Sequence, residues 1–112
     1  MSVPTTMFRL TGRDYPPAKL SHASLIIIDA QKEYLSGPLA LSGMDEAVAN
    51  IARLLDAARK AGRPIIHVRH LGTVGGRFDP QGPAGEFIPG LEPRDGEIII
   101  EKRMPNAFKN TK

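Results

Sequence analysis

The 112-residue sequence contains no cysteine, which excludes disulfides, cysteine-ligated zinc and a thiol nucleophile within these residues. Tryptophan is absent too, and tyrosine and phenylalanine number only two and four. A nucleic-acid binder would show a stripe of basic side chains with aromatics interleaved. Here fifteen Lys and Arg are scattered against twelve Asp and Glu, apart from a small cluster near the C-terminus, so nucleic acid is not an expected partner. Long apolar runs are missing as well. None approaches the roughly 18 residues of a transmembrane helix, so no membrane partner is expected. The first twenty residues carry Arg9, Arg13, Asp14 and the Pro16-Pro17 pair, where a signal peptide needs an unbroken apolar core. A cytoplasmic location is the simplest expectation.

What is present fits an ordered globular chain: 41% hydrophobic and 24% charged residues are close to soluble-domain averages. The length suits one domain, since domains cluster at about 100 to 150 residues. Residues 1–20, rich in Pro, Thr and charge, read as an N-terminal arm, and residues 21–112 as the domain.

Leu25, Ile26, Ile27 and Ile28 run straight into Asp29. Four consecutive aliphatics suit a strand buried on both faces, which predicts a central parallel strand. After the Gly37-Pro38 break, Ser42 and Asp45 have capping-box spacing. Val48, Ile51, Leu55 and Ala58 then recur at helical spacing, with Ala52 and Leu54 widening the stripe, and Arg59, Lys60 and Gly62 close the helix. "RPIIHVRH" is a second strand, and strand, helix, strand predicts parallel pairing. Residues 71–96 hold repeated Gly and Pro without helical period, a long connection of the kind that is usually functional; the glycines of "GTVGGRF" read as hinges for a lid. A third strand lies between Glu97 and Glu101, and Asn106 is placed to cap a helix beginning "AFKNTK".

In an open parallel sheet the carboxyl ends of the strands share one edge, where ligands bind. Asp29 follows the first strand, His67, Arg69 and His70 surround the end of the second, and Lys102, on a neighbouring strand end, follows the third. An Asp facing a Lys in a poorly solvated crevice is mutually sustaining, and it can equally be a proton-handling pair or a structural ion pair. His67 and His70, three apart on a strand, face opposite sides and are awkward as joint metal ligands.

Together, "LIIIDAQKEYL", "RPIIHVRH" and "IIIEKRMPNAFKNT" resemble the isochorismatase-like hydrolase superfamily, often called the cysteine hydrolases. Asp29, Gln31 and Tyr34 match its first motif; Lys102, Asn106, Ala107, Phe108 and Thr111 match the order of its third. The resemblance implies an α/β fold, a three-layer αβα Rossmann-like sandwich around a parallel sheet. It implies Asp29 and Lys102 as two members of a catalytic triad whose third member, a Cys on a later helix, lies beyond this sequence. The expected architecture is thus the amino-terminal portion of the domain, truncated after the third strand, with one edge and one face uncovered.

In Cys-using members the implied reaction is nucleophilic cleavage of an amide or carbamoyl bond. In isochorismatases proper, Asp29 as acid would protonate a vinyl ether without any Cys. A non-catalytic binding or assembly domain keeping the fold is the third possibility. Gln31, Tyr34 and Phe108 match positions beside the catalytic Asp or lining the substrate pocket, and Arg77 is placed to anchor a substrate carboxylate. The metal-binding Asp and His motif of nicotinamidase-type members has no match here, so neither metal nor cofactor is expected. The expected partners are a small-molecule substrate and further copies of the chain in a homo-oligomer.

Overall fold

Three aliphatic segments free of Gly and Pro build the sheet of the computed structural model, which describes residues 4–13 and 15–112. They are β1 (Leu25–Ile28), β2 (Ile65–His70) and β3 (Ile98–Lys102), rich in the β-branched residues that suit a pleated surface. All pairing is parallel, in the order β1-β2-β3. The expectation that Leu25–Ile28 would be central is corrected: β2 is the central strand and β1 lies at an edge of the described sheet. An apolar run reports two apolar faces, not two neighbours. Ile27 packs into the core while Ile26 and Ile28 are more than half exposed on the other face. Of the arm expected over residues 1–20, residues 1–3 and 14 lie outside the described residues. The rest forms one helical turn, α1 (Met7–Leu10), and then irregular chain through Pro16-Pro17.

The long helix, α2 (Met44–Lys60), carries Asp45 and Glu46 in its first turn and Arg59 and Lys60 in its last, each sign placed to suit the helix dipole. Its start differs from the expected capping box. The N-cap is Gly43, at φ 73, with no side-chain cap. The chain reverses there in the left-handed region, which glycine enters without steric cost, and this displaces Ser42 from the capping position. Leu55 and Ala58 are buried against Ile27, Ile65, Ile88 and Leu91, with Val48, Ile51 and Ala52 packed alongside. Leu54, expected to widen that stripe, is instead about half exposed; consecutive helical residues point about 100° apart, and the core lies under Leu55.

Residues 71–97 connect β2 to β3 with one 3-10 turn at Pro83–Gly85. The connection is tied down rather than loose. Lys32 N–H donates to the Glu86 carbonyl at 2.9 Å and Ile88 N–H to that of Ala30 at 3.0 Å, and Ile88 and Leu91 belong to the core. Gly72, read from sequence as a hinge, is packed so closely against the Arg77 carbonyl oxygen that a Cβ has no room. After β3 the helix expected from Asn106 does not form. Residues 103–110 are bends and turns, although Asn106 Oδ1 does accept from Phe108 N–H at 2.9 Å. One isolated turn is below the nucleation cost of a helix unless packing supports it.

The α/β fold with a parallel sheet is as expected. Among the described residues the long helix covers one face, and the other presents Ile26, Ile28 and Ile98, all more than half exposed. On the helix side, Glu97, just before β3, ties the end of α2 to the middle of β2. It takes Arg59 Nε at 2.7 Å and Nη2 at 2.9 Å, His67 Nε2 at 2.8 Å and Arg94 N–H at 3.0 Å. The Arg59 hydrogen bonds, helped by those from His67 and Arg94 and opposed by burial, hold its carboxyl at about 2 instead of 4.5. A depressed acid contributes stability that is complete above its unfolded value and is lost as the pH falls toward the folded one. Glu97→Gln should therefore lower the urea midpoint most above about pH 4.5, with the gap from wild type closing as the pH approaches about 2. A gap that stays constant across that window would show that Glu97 is not held in this way.

Candidate active site

His70 is the register partner of Lys102, and Ile28, the residue before Asp29, pairs with Val68. Asp29 and Lys102 therefore meet at the same edge, but not from neighbouring strands as expected: β2 lies between them. Two inter-strand steps of about 4.8 Å separate their backbones. The lysine is long enough to cross, and its Nζ lies 3.1 Å from Asp29 Oδ2. Lys102 is 3% exposed and the Asp29 side chain 21%, so the cation is the more dependent partner. A buried ammonium that loses its counter-charge costs several kcal/mol.

Asp29 reaches this position through its backbone, which turns left-handed at φ 58 immediately after β1. Asp is among the few residues that tolerate this region. Its N–H still donates to the Val68 carbonyl at 2.8 Å, while its own carbonyl accepts from Gln31 N–H at 2.9 Å. The reversal takes the side chain off the alternating pattern of the strand. One oxygen, Oδ2, faces Lys102; the other, Oδ1, is buried and has no hydrogen-bond partner among the described residues.

Gln31 is 0% exposed and its amide is taken up by backbone. Nε2 donates to the carbonyls of His70 at 2.8 Å and Gly85 at 2.9 Å, and Oε1 accepts from His70 N–H at 2.8 Å. It clamps the end of β2 to the loop. Tyr34 packs edge-on against Phe78 with centroids 5.3 Å apart, and Phe78 against His70 at 5.2 Å. Arg77 Nη1 donates to Glu33 Oε1 at 2.9 Å; Glu33 is buried, whereas the arginine side chain is more than half exposed. An open cleft of about 630 Å³ is lined by His70, Arg77, Phe78 and Arg103 among others. Phe108 is 93% exposed in the turn after β3, apart from this aromatic group.

The geometry thus joins Asp29, Lys102, Gln31 and Tyr34, sets Arg77 at the rim and leaves Phe108 outside. Sequence reasoning missed Glu33, Phe78 and the contact of His70, whose Nδ1 is 3.2 Å from Lys102 Nζ. His70 is expected at this edge with His67 and Arg69, but without a partner there; its register with Lys102 was the usable signal. His67 lies on the opposite face with Glu97. Among the described residues no group of three or more His, Cys, Asp or Glu is placed to hold a metal ion. Chemically, the arrangement pairs a carboxylate having one free oxygen with a shielded cation beside a cleft, which suits proton transfer next to developing negative charge.

The isochorismatase domain profile matches residues 23–112. The chain is similar to a secreted isochorismatase effector of Verticillium dahliae, 37% identical over 99 residues, which are 86% of this chain and 52% of the relative. It is also similar to streptothricin hydrolase of Streptomyces noursei, 28% identical over 88 residues, 79% of this chain and 35% of that one. Among solved structures it is similar to an isochorismatase from Pseudomonas putida KT2440, with 94% identity and a TM-score of 0.91 over 97% of this chain and 56% of that chain. The chain spans about half the length of the first curated relatives it matches.

Two measurements check the site as built. Gln31→Leu strands two backbone groups at the end of β2 and the Gly85 carbonyl in the loop, at about 1–3 kcal/mol for each that stays buried; a loss below about 1 kcal/mol in denaturant titration would contradict the clamp. Burial first, then the charges of Asp29 and Glu33, push the Tyr34 phenol above its ordinary 10.0. Asp29→Asn should lower that titration, read from phenolate absorbance, without returning it to 10.0 because burial persists. An unchanged titration would remove Asp29 from Tyr34's surroundings.

Proposed function

The chain belongs to the isochorismatase domain family, and from that premise we propose that it carries the Asp29 and Lys102 of a small-molecule hydrolase that cleaves an amide or carbamoyl bond. The observation that carries the reading is the Asp29 carboxylate, with Oδ2 on buried Lys102 and Oδ1 shielded but unengaged. A carboxylate used only as a counter-ion would gain from filling both oxygens. Among the described residues nothing engages Oδ1, which leaves it able to take or give a proton.

In this reading the nucleophile is a thiol supplied from outside these residues, which contain no Cys. A free thiol of pKa about 8.5 is only a few per cent thiolate at neutral pH, and an adjacent cation raises that fraction. Asp29 takes the thiol proton and the thiolate attacks the carbonyl carbon. Lys102 steadies the negative charge. The C–N bond breaks as Asp29 returns the proton to the leaving nitrogen, and water then hydrolyses the thioester, releasing acid and thiol. Tyr34 and Phe78 form an apolar wall beside the pair, Gln31 holds the β2 end behind it, and Arg77 at the cleft rim is the anchor for a substrate carboxylate. Phe108 keeps a part in substrate binding only if the turn carrying it moves inward.

A second reading has its own support in the relative described as an isochorismatase effector. There Asp29 in its acid form protonates a vinyl ether, water adds to the resulting cation, and no thiol takes part. A cytoplasmic setting and assembly into a homo-oligomer complete the proposal, to be read by cell fractionation and by light scattering.

The deciding experiment assays the full chain against isochorismate, an N-carbamoyl amino acid and streptothricin. Asp29→Asn and Lys102→Ala should each lower kcat by about 10²–10⁴-fold, the usual contribution of a positioned acid or base. Turnover that survives both substitutions would remove Asp29 and Lys102 from the chemistry, whereas a wild-type chain that turns over none of the three would favour a binding or assembly role.

A further inference from the structure

We infer that His70 is a positioning residue that acts through Lys102, fixing where the lysine ammonium stands over the end of β2; the inference rests on the hydrolytic reading of Asp29 and Lys102. Because β2 separates the two, the lysine side chain must pass the last residue of the middle strand, and that residue is His70. Its Nδ1 lies 3.2 Å from Nζ. An ammonium only donates, so Nδ1 accepts and the ring hydrogen sits on Nε2. A lysine held by one carboxylate oxygen keeps several rotatable bonds and can swing about that contact. With a second acceptor on a different strand its head group is fixed between two points, Asp29 Oδ2 and His70 Nδ1, and one N–H stays free for charge developing on a substrate.

His70 is itself held more firmly than a strand-end residue needs to be. Both its backbone N–H and its carbonyl are bonded to the fully buried Gln31 amide. Its ring meets Phe78, which is buried at a positive φ of 51 and packs in turn against Tyr34. A bulky residue is strained in that backbone region and persists there only where its surroundings over-determine it. The whole assembly, Gln31 behind and Phe78 beside, sets the plane of one imidazole ring whose nitrogen faces the lysine.

The test has two arms in the full chain. Long-range nitrogen–proton NMR of the imidazoles, assigned with His70→Asn, should show His70 protonated on Nε2; a proton on Nδ1 overturns the proposal. This arm needs no substrate, so it judges the His70–Lys102 contact even if Asp29→Asn leaves turnover intact. With whichever substrate of the panel is turned over, His70→Ala should lower kcat by about 10–100-fold, the scale of a misplaced catalytic group, with KM within about 3-fold. His70→Asn, whose amide oxygen can stand near the Nδ1 position, should recover most of that loss. Wild-type kcat in His70→Ala, or an Asn variant no better than the Ala variant, overturns the assignment. If His70→Ala does not fold, His70→Gln, which places its amide near Nε2 instead, takes its place and must lose kcat in the same way.

Discussion

The ion pair between Lys102 and Asp29 crosses a strand, and much of the local structure follows from that crossing. Neither residue could reach the other if the side chain on β3 were short, or if β1 ended in ordinary extended backbone. Lys102 contributes length and Asp29 contributes a left-handed turn. Between them the end of β2 has to be both firm and accommodating. It is firm because the Gln31 amide replaces the backbone partners that the strand lacks once β1 has turned away. It accommodates the lysine because its final side chain is an imidazole, which can accept a hydrogen bond from an ammonium that a leucine there would merely exclude.

The two faces of the sheet are used differently. On the helix side, polar chemistry is structural: Glu97, just before β3, joins Arg59 at the end of α2 to His67 within β2 through short hydrogen bonds, and the guanidinium holds the carboxyl far below its usual range. At the carboxyl edge, polar chemistry is left incomplete, with a buried oxygen of Asp29 unengaged beside an open cleft. The helix side is not fully paired either, because His67 Nδ1 is buried without a hydrogen-bond partner among the described residues; the edge differs in having the open cleft next to it. The connection over residues 71–97 serves both. It sends Ile88 and Leu91 into the core and brings Phe78 and Arg77 to the site.

Opposite the helix, Ile26, Ile28 and Ile98 form a bare aliphatic face. An αβα sandwich would bury such a face beneath a second helical layer, and the chain spans about half the length of the curated relatives it matches.

The sequence by itself determined the elements and the edge. Aliphatic runs, a 3.6-residue stripe and the alternation of strand, helix and strand predict a parallel sheet, and a parallel sheet brings Asp29, His70 and Lys102 to one side because every strand runs the same way. The motif resemblance, separately, implied Asp29 and Lys102 as two members of a catalytic triad. Only the tertiary structure decided that β2 lies between β1 and β3 in the described sheet, and so that the lysine must cross His70. Periodicity reports the faces of a strand and not its neighbours. Nor could residue types show that Gln31 spends its amide on the backbone of β2, that Phe108 stands in solvent, or that Asp29 turns left-handed. Each depends on groups brought from dozens of residues away, and side-chain direction at a strand end is settled by that packing rather than by local preference.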